Sequence, residues 1–291
     1  MPEKKLLAIV LGLILLSMAA VFGLILSLGA FRWKAATRQL LSGLEDGSLS
    51  VGPSYYHEND LAELPMPVQR YFRAVLQEGQ GMIAGVEARH RGEFNLDEAG
   101  EKWVPFTPWQ KVTVHRPGFV WDARMRMAPG VKIRVHDAYV RQEGLLRASL
   151  FGLITLADLR GTPEIAQGEL MRFLAEAAWY PTALLPGKGV RWEAIDEHSA
   201  RAVLCDGDVS VRAVFHFDAN GLIDRVYCEE RHRVVKGQSV PTPWQGRFWD
   251  YERRDGMLIP LSGEVSWLLP EGEKPYWRGR IMEIKYRWTL Q

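Results

Sequence analysis

The most prominent feature of the hydropathy pattern is an apolar run from Leu6 to Phe31 that contains no charged residue and no proline. As a helix, this run would span about 39 Å, which exceeds the roughly 30 Å hydrocarbon core of a bilayer. Lysines precede the run, and Trp33 follows it together with three basic residues, as is typical of a membrane interface. The pattern therefore predicts one transmembrane helix.

A cleaved signal peptide is the alternative explanation, and Ser27-Leu28-Gly29 would be an acceptable cleavage site. The run is longer than the roughly 7–15 apolar residues of a signal sequence, which favours a permanent anchor. We therefore predict a single-pass protein of the cell membrane. Because a short basic tail need not cross the bilayer, we expect the large domain on the extracytoplasmic side.

Four segments are predicted around this helix. Residues 1–5 form a short basic tail, residues 6–31 the transmembrane helix, residues 32–63 a juxtamembrane segment and tether, and residues 64–291 a soluble domain. We expect the helix to continue through Trp33 to Leu44. Glycine, serine and proline between Gly47 and Pro53 then indicate the tether.

The soluble domain shows two helical patterns and a long series of strands. Apolar residues recur on one helical face between Leu64 and Leu76, and a second helix follows the N-cap Thr162 and stops before Pro181. Elsewhere apolar and polar residues alternate, and short turns make neighbouring strands antiparallel. About five strands precede the second helix and about six follow it.

These elements predict an α+β fold dominated by one antiparallel sheet. After the transmembrane helix, about eleven strands curl into an incomplete barrel, a half-barrel with one helix before the sheet and one inserted in its middle. Apolar residues make up 47% of the chain and charged residues 24%, which is ordinary for a folded protein. A net charge of +1 gives no indication of a nucleic-acid partner.

The two cysteines are predicted to be free. Hairpin turns at Asp206-Gly207 and Asn220-Gly221 would place Cys205 opposite Asp208 and Cys228 opposite Ala213. The cysteines would then lie on strands separated by a third strand, about 9.6 Å apart, too far for a disulfide bond.

Catalytic and metal-binding motifs are scarce. The sequence has no glycine-rich phosphate loop, no GxSxG elbow and no HExxH motif, and its seven histidines are scattered, so we expect neither a metal site nor a cofactor. The one candidate catalytic group is Glu169, Arg172 and Glu176 on the second helix, on the side opposite its apolar stripe. A solvated face with an i,i+3 ion pair is the favoured interpretation, but buried carboxylates beside an arginine could perform acid–base chemistry.

One face of the first four strands is predicted to be polar and basic, and the other apolar. The basic face, close to a membrane, could meet anionic lipid head groups; balanced outward-facing pairs are the alternative. Its candidate residues are Arg89, Arg91, Lys111, Arg124, Arg126, Lys132 and Arg134.

The opposite faces of the strands carry aromatic and methionine side chains. A curved sheet with such a lining and a helix inside could hold a lipid or another flexible apolar molecule, because these side chains adapt to it. A core closed by the helix is the alternative. The candidate lining residues are Phe94, Trp121, Met125, Met127, Phe215, Phe217 and Trp267.

Four segments resemble an uncharacterised bacterial family of conserved, often membrane-anchored proteins. They are Trp103-Val104-Pro105-Phe106, the segment from Pro117 to Ala123, the segment from Leu174 to Pro186, and Tyr276-Trp277-Arg278-Gly279. The resemblance covers the chain from about Leu64 onward and implies no activity. The order of elements also resembles the half-barrel lipoprotein carriers of the bacterial envelope, which implies a concave sheet closed by helices.

Three functions remain open at this point. The first is a membrane-tethered module that binds a lipid or other apolar ligand. The second is an enzyme that uses Glu169, Arg172 and Glu176. The third is a structural or protein-interaction domain of the envelope, which would use an exposed Trp244 in the loop that starts at Val240.

Overall fold

A computed structural model describes residues 2–46, 52, 54–97, 100–187 and 189–289. Apart from Gly52, the predicted tether between Gly47 and Pro53 lies outside the described residues, as does part of the turn near residue 98. Three α-helices are present: α1 (Pro2–Glu45), α2 (Met66–Val75) and α3 (Pro163–Glu176). Short 3-10 helices cover Glu58–Leu61, Ala177–Trp179 and Pro181–Leu184.

The strands form one sheet, and each pairs with its neighbours in an antiparallel direction. They are β1 (Ile83–Asn95), β2 (Trp103–Thr113), β3 (Gly118–Ala128), β4 (Val131–Val140), β5 (Glu143–Leu150), β6 (Ile154–Arg160), β7 (Val190–Ala194), β8 (Ser199–Asp206), β9 (Val209–Phe217), β10 (Ile223–Val235), β11 (Gln238–Arg254), β12 (Met257–Leu269) and β13 (Gly272–Trp288).

The sheet is a continuous meander interrupted once by α3. Its order is β6-β5-β4-β3-β2-β1-β13-β12-β11-β10-β9-β8-β7, so β1 and β13 pair in the centre and β6 and β7 form the two edges. Helix α3 connects these edges through the inside of the curl and contacts both halves of the sheet, at β5 and at β9. The predicted α+β half-barrel is therefore confirmed.

The strand count differs from the prediction, because the sheet has thirteen strands and not about eleven. The clearest omission is β6, in which five of the seven residues are exposed and none is fully buried. A strand that buries neither face lacks the alternation on which the prediction depends. The position of β6 is set by the tight turn from β5 and by backbone pairing with that strand, such as that of Leu146 with Leu159.

The core lies inside the half-barrel and extends from one end of the sheet to Phe106 and Trp244. At that end, helix α2 inserts Tyr71, Phe72 and Val75, and all three side chains are fully buried. The 3-10 helix after α3 adds Trp179, whose carbonyl oxygen accepts a hydrogen bond from the Tyr286 hydroxyl. We call this end, at the turns after β2, β4, β9 and β11, the closed end. The opposite end, at the turns after β1, β3, β5, β10 and β12, is the open rim.

Helix α1 continues past the apolar run, as predicted, and its second half packs on the outer face of β3 and β4. Trp33 is only 2% exposed, and Leu44 packs in a small cluster with Val120 and Ala138. Gly29 permits the approach, because a β-carbon there would lie 2.5 Å from the carbonyl oxygen of Phe151. The segment after the apolar run is thus a docked helix up to Glu45.

Both cysteines are free, as predicted: Cys205 is exposed and Cys228 is buried. The predicted register of the first hairpin was wrong, because Cys205 pairs with Ser210. Gly207 takes a left-handed φ of 57° in this turn and places Asp206 opposite Val209.

Candidate functional site

A cluster of charged side chains lies inside the half-barrel, between α3 and β4. The guanidinium of Arg172 donates to Asp137 on β4, and its Nε lies 2.7 Å from Oε1 of Glu176, one helical turn along α3. Gln110 on β2 donates to the other oxygen of Glu176 at 2.6 Å. The side chains of Arg172 and Glu176 are only 14% and 12% exposed, so this cluster belongs to the interior.

Two carboxyl oxygens of the cluster are buried without a hydrogen-bond donor among the described residues. They are Oε2 of Glu169 and Oδ1 of Asp137. Burial raises the pKa of Glu169 well above its ordinary value, and the nearby charge of Asp137 raises it further. Burial acts against the charged form of Arg172, but Glu176, Asp137 and Glu169 raise the pKa of this guanidinium. The cluster therefore combines a carboxyl group whose neutral form is favoured by burial with an arginine whose charged form is favoured by the carboxylates around it.

The favoured expectation of a solvated helix face was wrong for Glu169, Arg172 and Glu176. Their side of α3 faces the sheet, because the helix crosses the inside of the curl and is covered on several sides. Residues outside the predicted stripe, such as Met171 and Ala175, are buried too. The ion pair of Arg172 is with Glu176 at i,i+4 and not with Glu169 at i,i+3.

Aromatic side chains border the cluster on the concave side of the sheet. Arg172 lies over the rings of Phe119 and Trp121, with its Cζ 4.9 and 5.1 Å from their centroids. Trp121 meets Phe106 edge to face, and Phe106 stacks on Trp277. The charged cluster is therefore bordered by aromatic side chains on the concave side of the sheet, a region that we name the concave cup.

The opposite wall of the concave cup is formed by β1, β12 and β13. Tyr276 stacks on Trp267 at 5.4 Å between centroids and meets Phe94 edge to face. The Tyr276 hydroxyl accepts a hydrogen bond from the Trp244 indole, and Arg231 lies over the same indole. Trp244 is 2% exposed, so the expected exposed loop at this residue is wrong: it is part of strand β11 and packs inward.

The predicted lining residues are distributed over both ends of the half-barrel. Trp121, Met125, Phe215 and Phe217 are buried, while Phe94, Met127 and Trp267 are half-buried and lie near the open rim. Phe106, Tyr276 and Trp277 were not selected from the sequence; Phe106 faces inward on β2, and a register shift on β13 lets the consecutive residues Tyr276 and Trp277 both face inward. Phe106 and Trp277 lie within the segments that carry the family resemblance.

His90 is a further buried group that the sequence did not single out. Both ring nitrogens lack a hydrogen-bond partner among the described residues, and the ring meets Trp179 edge to face at 5.1 Å. Burial, with a smaller contribution from Arg172, lowers its pKa to about 3. His90 is therefore neutral and packs as an aromatic ring at neutral pH.

A second polar group joins α1 to the outer face of the sheet. The Trp33 indole donates to Oδ1 of Asp122 at 3.0 Å and stacks on His136, with the ring centroids 3.9 Å apart. Thr37 contacts Oδ2 of Asp122 and Nε2 of His136. Burial alone would raise the pKa of Asp122, but the nearby His136 and the hydrogen bonds from Trp33 and Thr37 lower it below its ordinary value. This group positions α1 on the sheet.

The seven predicted basic residues have different surroundings. Arg89 lies 3.5 Å from Glu283, Lys111 is paired with Glu45 at the end of α1, and Arg91 is exposed on β1. The other four lie on β3 and β4 beside α1, near the open rim: Arg124, Arg126, Lys132 and Arg134. Only these four are placed together by the fold.

We expect the stability of the protein to depend on the protonation of Glu169. The folded state raises the pKa of this carboxyl above its ordinary value of about 4.5. The contribution of Glu169 to the free energy of unfolding is therefore complete below about pH 4.5 and is lost as the pH rises towards the pKa in the folded state. Over this range the free energy of unfolding falls by up to about 1.4 kcal/mol per pH unit. Glu169→Gln should flatten the profile of unfolding free energy between pH 5 and 7, measured by urea denaturation of the full chain in detergent micelles.

Glu197→Gln, at an exposed turn between β7 and β8, is the matched control and should retain the wild-type profile. A Glu169→Gln profile parallel to that of the wild type would show that Glu169 is not held protonated.

Comparison with known proteins gives a family and distant structural likenesses. A sequence model for a family of unknown function (DUF6920) matches residues 62–286. Among curated proteins, none matches the sequence significantly. A LolA superfamily protein from Nitrosomonas europaea is similar in structure, with 13% sequence identity and a TM-score of 0.36, covering 76% of this chain and 92% of that chain.

A second solved structure with similarity is a β-barrel-like protein of a domain of unknown function, DUF1849, from Brucella abortus. It is 9% identical, with a TM-score of 0.22, and the match covers 71% of this chain and 99% of that chain. Both structural likenesses are distant.

Proposed function

We propose that this chain, which belongs to the DUF6920 family of unknown function, is a membrane-anchored module that binds a lipid or other apolar ligand in the concave cup. One observation supports this function above others. Along β3 and β12, the inward-facing side chains change from fully buried at the closed end to half-buried at the open rim. On β3 this change in burial runs from Phe119 to Met127, and on β12 it runs from Ile259 to Trp267.

The composition of the open rim also favours an apolar ligand. Large apolar side chains are exposed there: Leu96 follows β1, Ile154 and Leu156 lie on β6, and Val234 and Val240 flank the turn after β10. Exposed apolar groups grouped at the mouth of a recess are typical of a ligand entrance or a membrane contact.

The direction of α1 supports a position of the mouth on the membrane side. Trp33 contacts β4 at His136, and Leu44 contacts it at Ala138, so α1 and β4 run in the same direction. Residues 4–25 therefore extend beyond the open rim, and they are exposed and strongly apolar. The helix Lys4–Glu45 is long and apolar enough to cross a membrane. A bilayer around it would face the open rim, from which an acyl chain could pass into the concave cup.

Photo-crosslinking tests this function. The full chain is reconstituted in vesicles that contain a fatty acid with a photoreactive group near its methyl end, and the labelled peptides are identified by mass spectrometry. We expect label on peptides that carry Phe94, Met127 and Trp267 as well as on α1. Trp267→Glu should reduce labelling of these peptides at least about fivefold, because a buried charge is unfavourable in an apolar site.

Trp249→Glu is the matched control, because Trp249 lies on the neighbouring strand β11 but is exposed. It should leave the labelling of the concave cup unchanged. Label confined to residues 2–31 of the wild type would mean that no acyl chain enters the cup.

An enzymatic function of Glu169, Arg172 and Glu176 receives less support. Arg172 is engaged by two carboxylates, and one oxygen of Glu176 accepts from Arg172 while the other accepts from Gln110. The cluster is better suited to form the polar floor of a binding site than to exchange protons with a substrate.

A further inference from the structure

A cleft of about 240 Å³ lies where α1 leaves the sheet at the open rim. Its lining combines apolar and basic side chains: Leu26, Arg124, Gly130, Lys132, Arg134 and Phe151. Leu26 belongs to the apolar run of α1, and Phe151 lies in the turn after β5. The cleft therefore joins a cationic sheet face to the part of α1 that would enter the bilayer.

The basic residues of the cleft have no counter-charge of their own. Neither Arg124, Lys132 nor Arg134 forms an ion pair or a side-chain hydrogen bond within the described part of the chain, and the adjacent Arg126 forms none either. Other basic residues on this outer face are paired, such as Arg141 with Asp46 at 2.7 Å. Four cations have thus been concentrated at one site without an ion pair to a carboxylate among the described residues.

The cations are close to one another. Arg124 pairs with Arg134 across β3 and β4, and Arg126 pairs with Lys132 in the next position. Burial, and then the charge of Arg124, lowers the pKa of Arg134. Asp122, the nearest carboxylate, is already bound by Trp33, Thr37 and His136. Like charges opposite each other in a sheet are unfavourable unless an anion lies between them.

We propose that this cleft binds the phosphate-bearing head group of an anionic phospholipid. Arginine guanidinium groups bind phosphate oxygens in a bidentate manner, and a lysine adds a flexible donor. Leu26 and Phe151 would contact the start of the acyl chains. The inference rests on the anchoring of α1 in a membrane, which is part of the proposed function, but it does not require a ligand in the concave cup.

Native mass spectrometry of the full chain, released from mild detergent micelles, tests the proposal. Phosphatidylglycerol or phosphatidylcholine with the same acyl chains is added at increasing concentration, and the retained lipid is counted. We expect the wild type to retain phosphatidylglycerol at a concentration at least tenfold lower than phosphatidylcholine. Each basic residue near a membrane surface contributes about fivefold, so Arg124→Gln/Lys132→Gln/Arg134→Gln should abolish this preference.

The triple variant Arg91→Gln/Arg212→Gln/Arg247→Gln is the matched control. It removes the same charge from exposed positions on β1, β9 and β11, outside the cleft, and should keep the wild-type preference. Arg124→Gln/Lys132→Gln changes only exposed side chains and provides a second test if the first triple variant does not fold. This double variant should lose most of the preference.

Three outcomes would overturn the proposal: no preference in the wild type, an equal loss in the control variant, or complete competition by millimolar inorganic phosphate, which would identify a free-anion site. The crosslinking pattern of the concave cup is independent of these outcomes. Loss of the head-group preference with acyl labelling of the cup intact rejects only the head-group site. Loss of cup labelling with the preference intact rejects only the ligand in the cup.

Discussion

Replacing Arg172 with alanine is expected to lower the free energy of unfolding by about 3–5 kcal/mol, because it leaves buried carboxylates without their cation. Asp137 and Glu176 both accept from this guanidinium, and Glu169 lies beside them with one oxygen already lacking a donor. Urea denaturation of the full chain in detergent micelles at pH 7 measures the change. Arg172→Lys retains the charge but not the planar, two-pronged geometry of the guanidinium, so it should lower the free energy of unfolding by less than Arg172→Ala.

The matched control is Arg201→Ala on β8. Arg201 pairs with Glu193 at 3.2 Å, but both side chains are more than 40% exposed. Exposed pairs contribute roughly 0–1 kcal/mol, so this variant should remain close to the wild type. If Arg172→Ala were no more destabilising than Arg201→Ala, the cluster would be solvated and could not be the floor of the concave cup.

Replacing Trp33 with alanine is expected to release the second half of α1 from the sheet. The indole is buried, donates to Asp122 and stacks on His136, and removing such a side chain costs about 3–5 kcal/mol. Hydrogen exchange of the full chain, followed by mass spectrometry, should therefore accelerate in residues 32–45 by a factor of about 100 or more, since local opening sets the exchange rate.

Phe31→Ala is the matched control for this change. Phe31 is also an aromatic residue of α1, but it is 64% exposed, and its removal should leave the exchange of residues 32–45 unchanged. Two glycines give an independent comparison. Gly29→Leu collides with the carbonyl oxygen of Phe151, whereas Gly23→Leu has open space. Equal exchange in these two leucine variants would contradict the docked position of α1.

The fold class could be predicted because its signals are local. The apolar run, the alternation along the strands and the Thr162 N-cap each depend on a few neighbouring residues, and Thr162 does accept a hydrogen bond from the backbone of Ile165. The resemblance to an uncharacterised family is likewise confirmed by the match over residues 62–286. Strand β6 could not be predicted because it buries neither face.

The sites depend on long-range contacts, which no local pattern encodes. Glu169, Arg172 and Glu176 were identified, but their burial depends on α3 crossing the inside of a sheet whose edges are distant in sequence. Docking of α1 brings Trp33 to Asp122 across 89 positions of sequence. Three basic residues, Arg124, Lys132 and Arg134, are set apart from the other basic residues. This could be recognised only once α1 was placed on β3 and β4.

The central pairing of β1 with β13 has a consequence for biosynthesis. All the other strand pairs of the sheet join consecutive strands, so each of them can form as a local hairpin while the chain emerges. In contrast, β1 can pair with β13 only after the last of the thirteen strands has been synthesised. Its unpaired edge is therefore exposed to other chains throughout synthesis. Charged residues along β1 disfavour pairing of this edge with another chain during synthesis. They are Glu87, Arg89, Arg91 and Glu93. The final closure, at Met82 and Thr289, then completes the sheet.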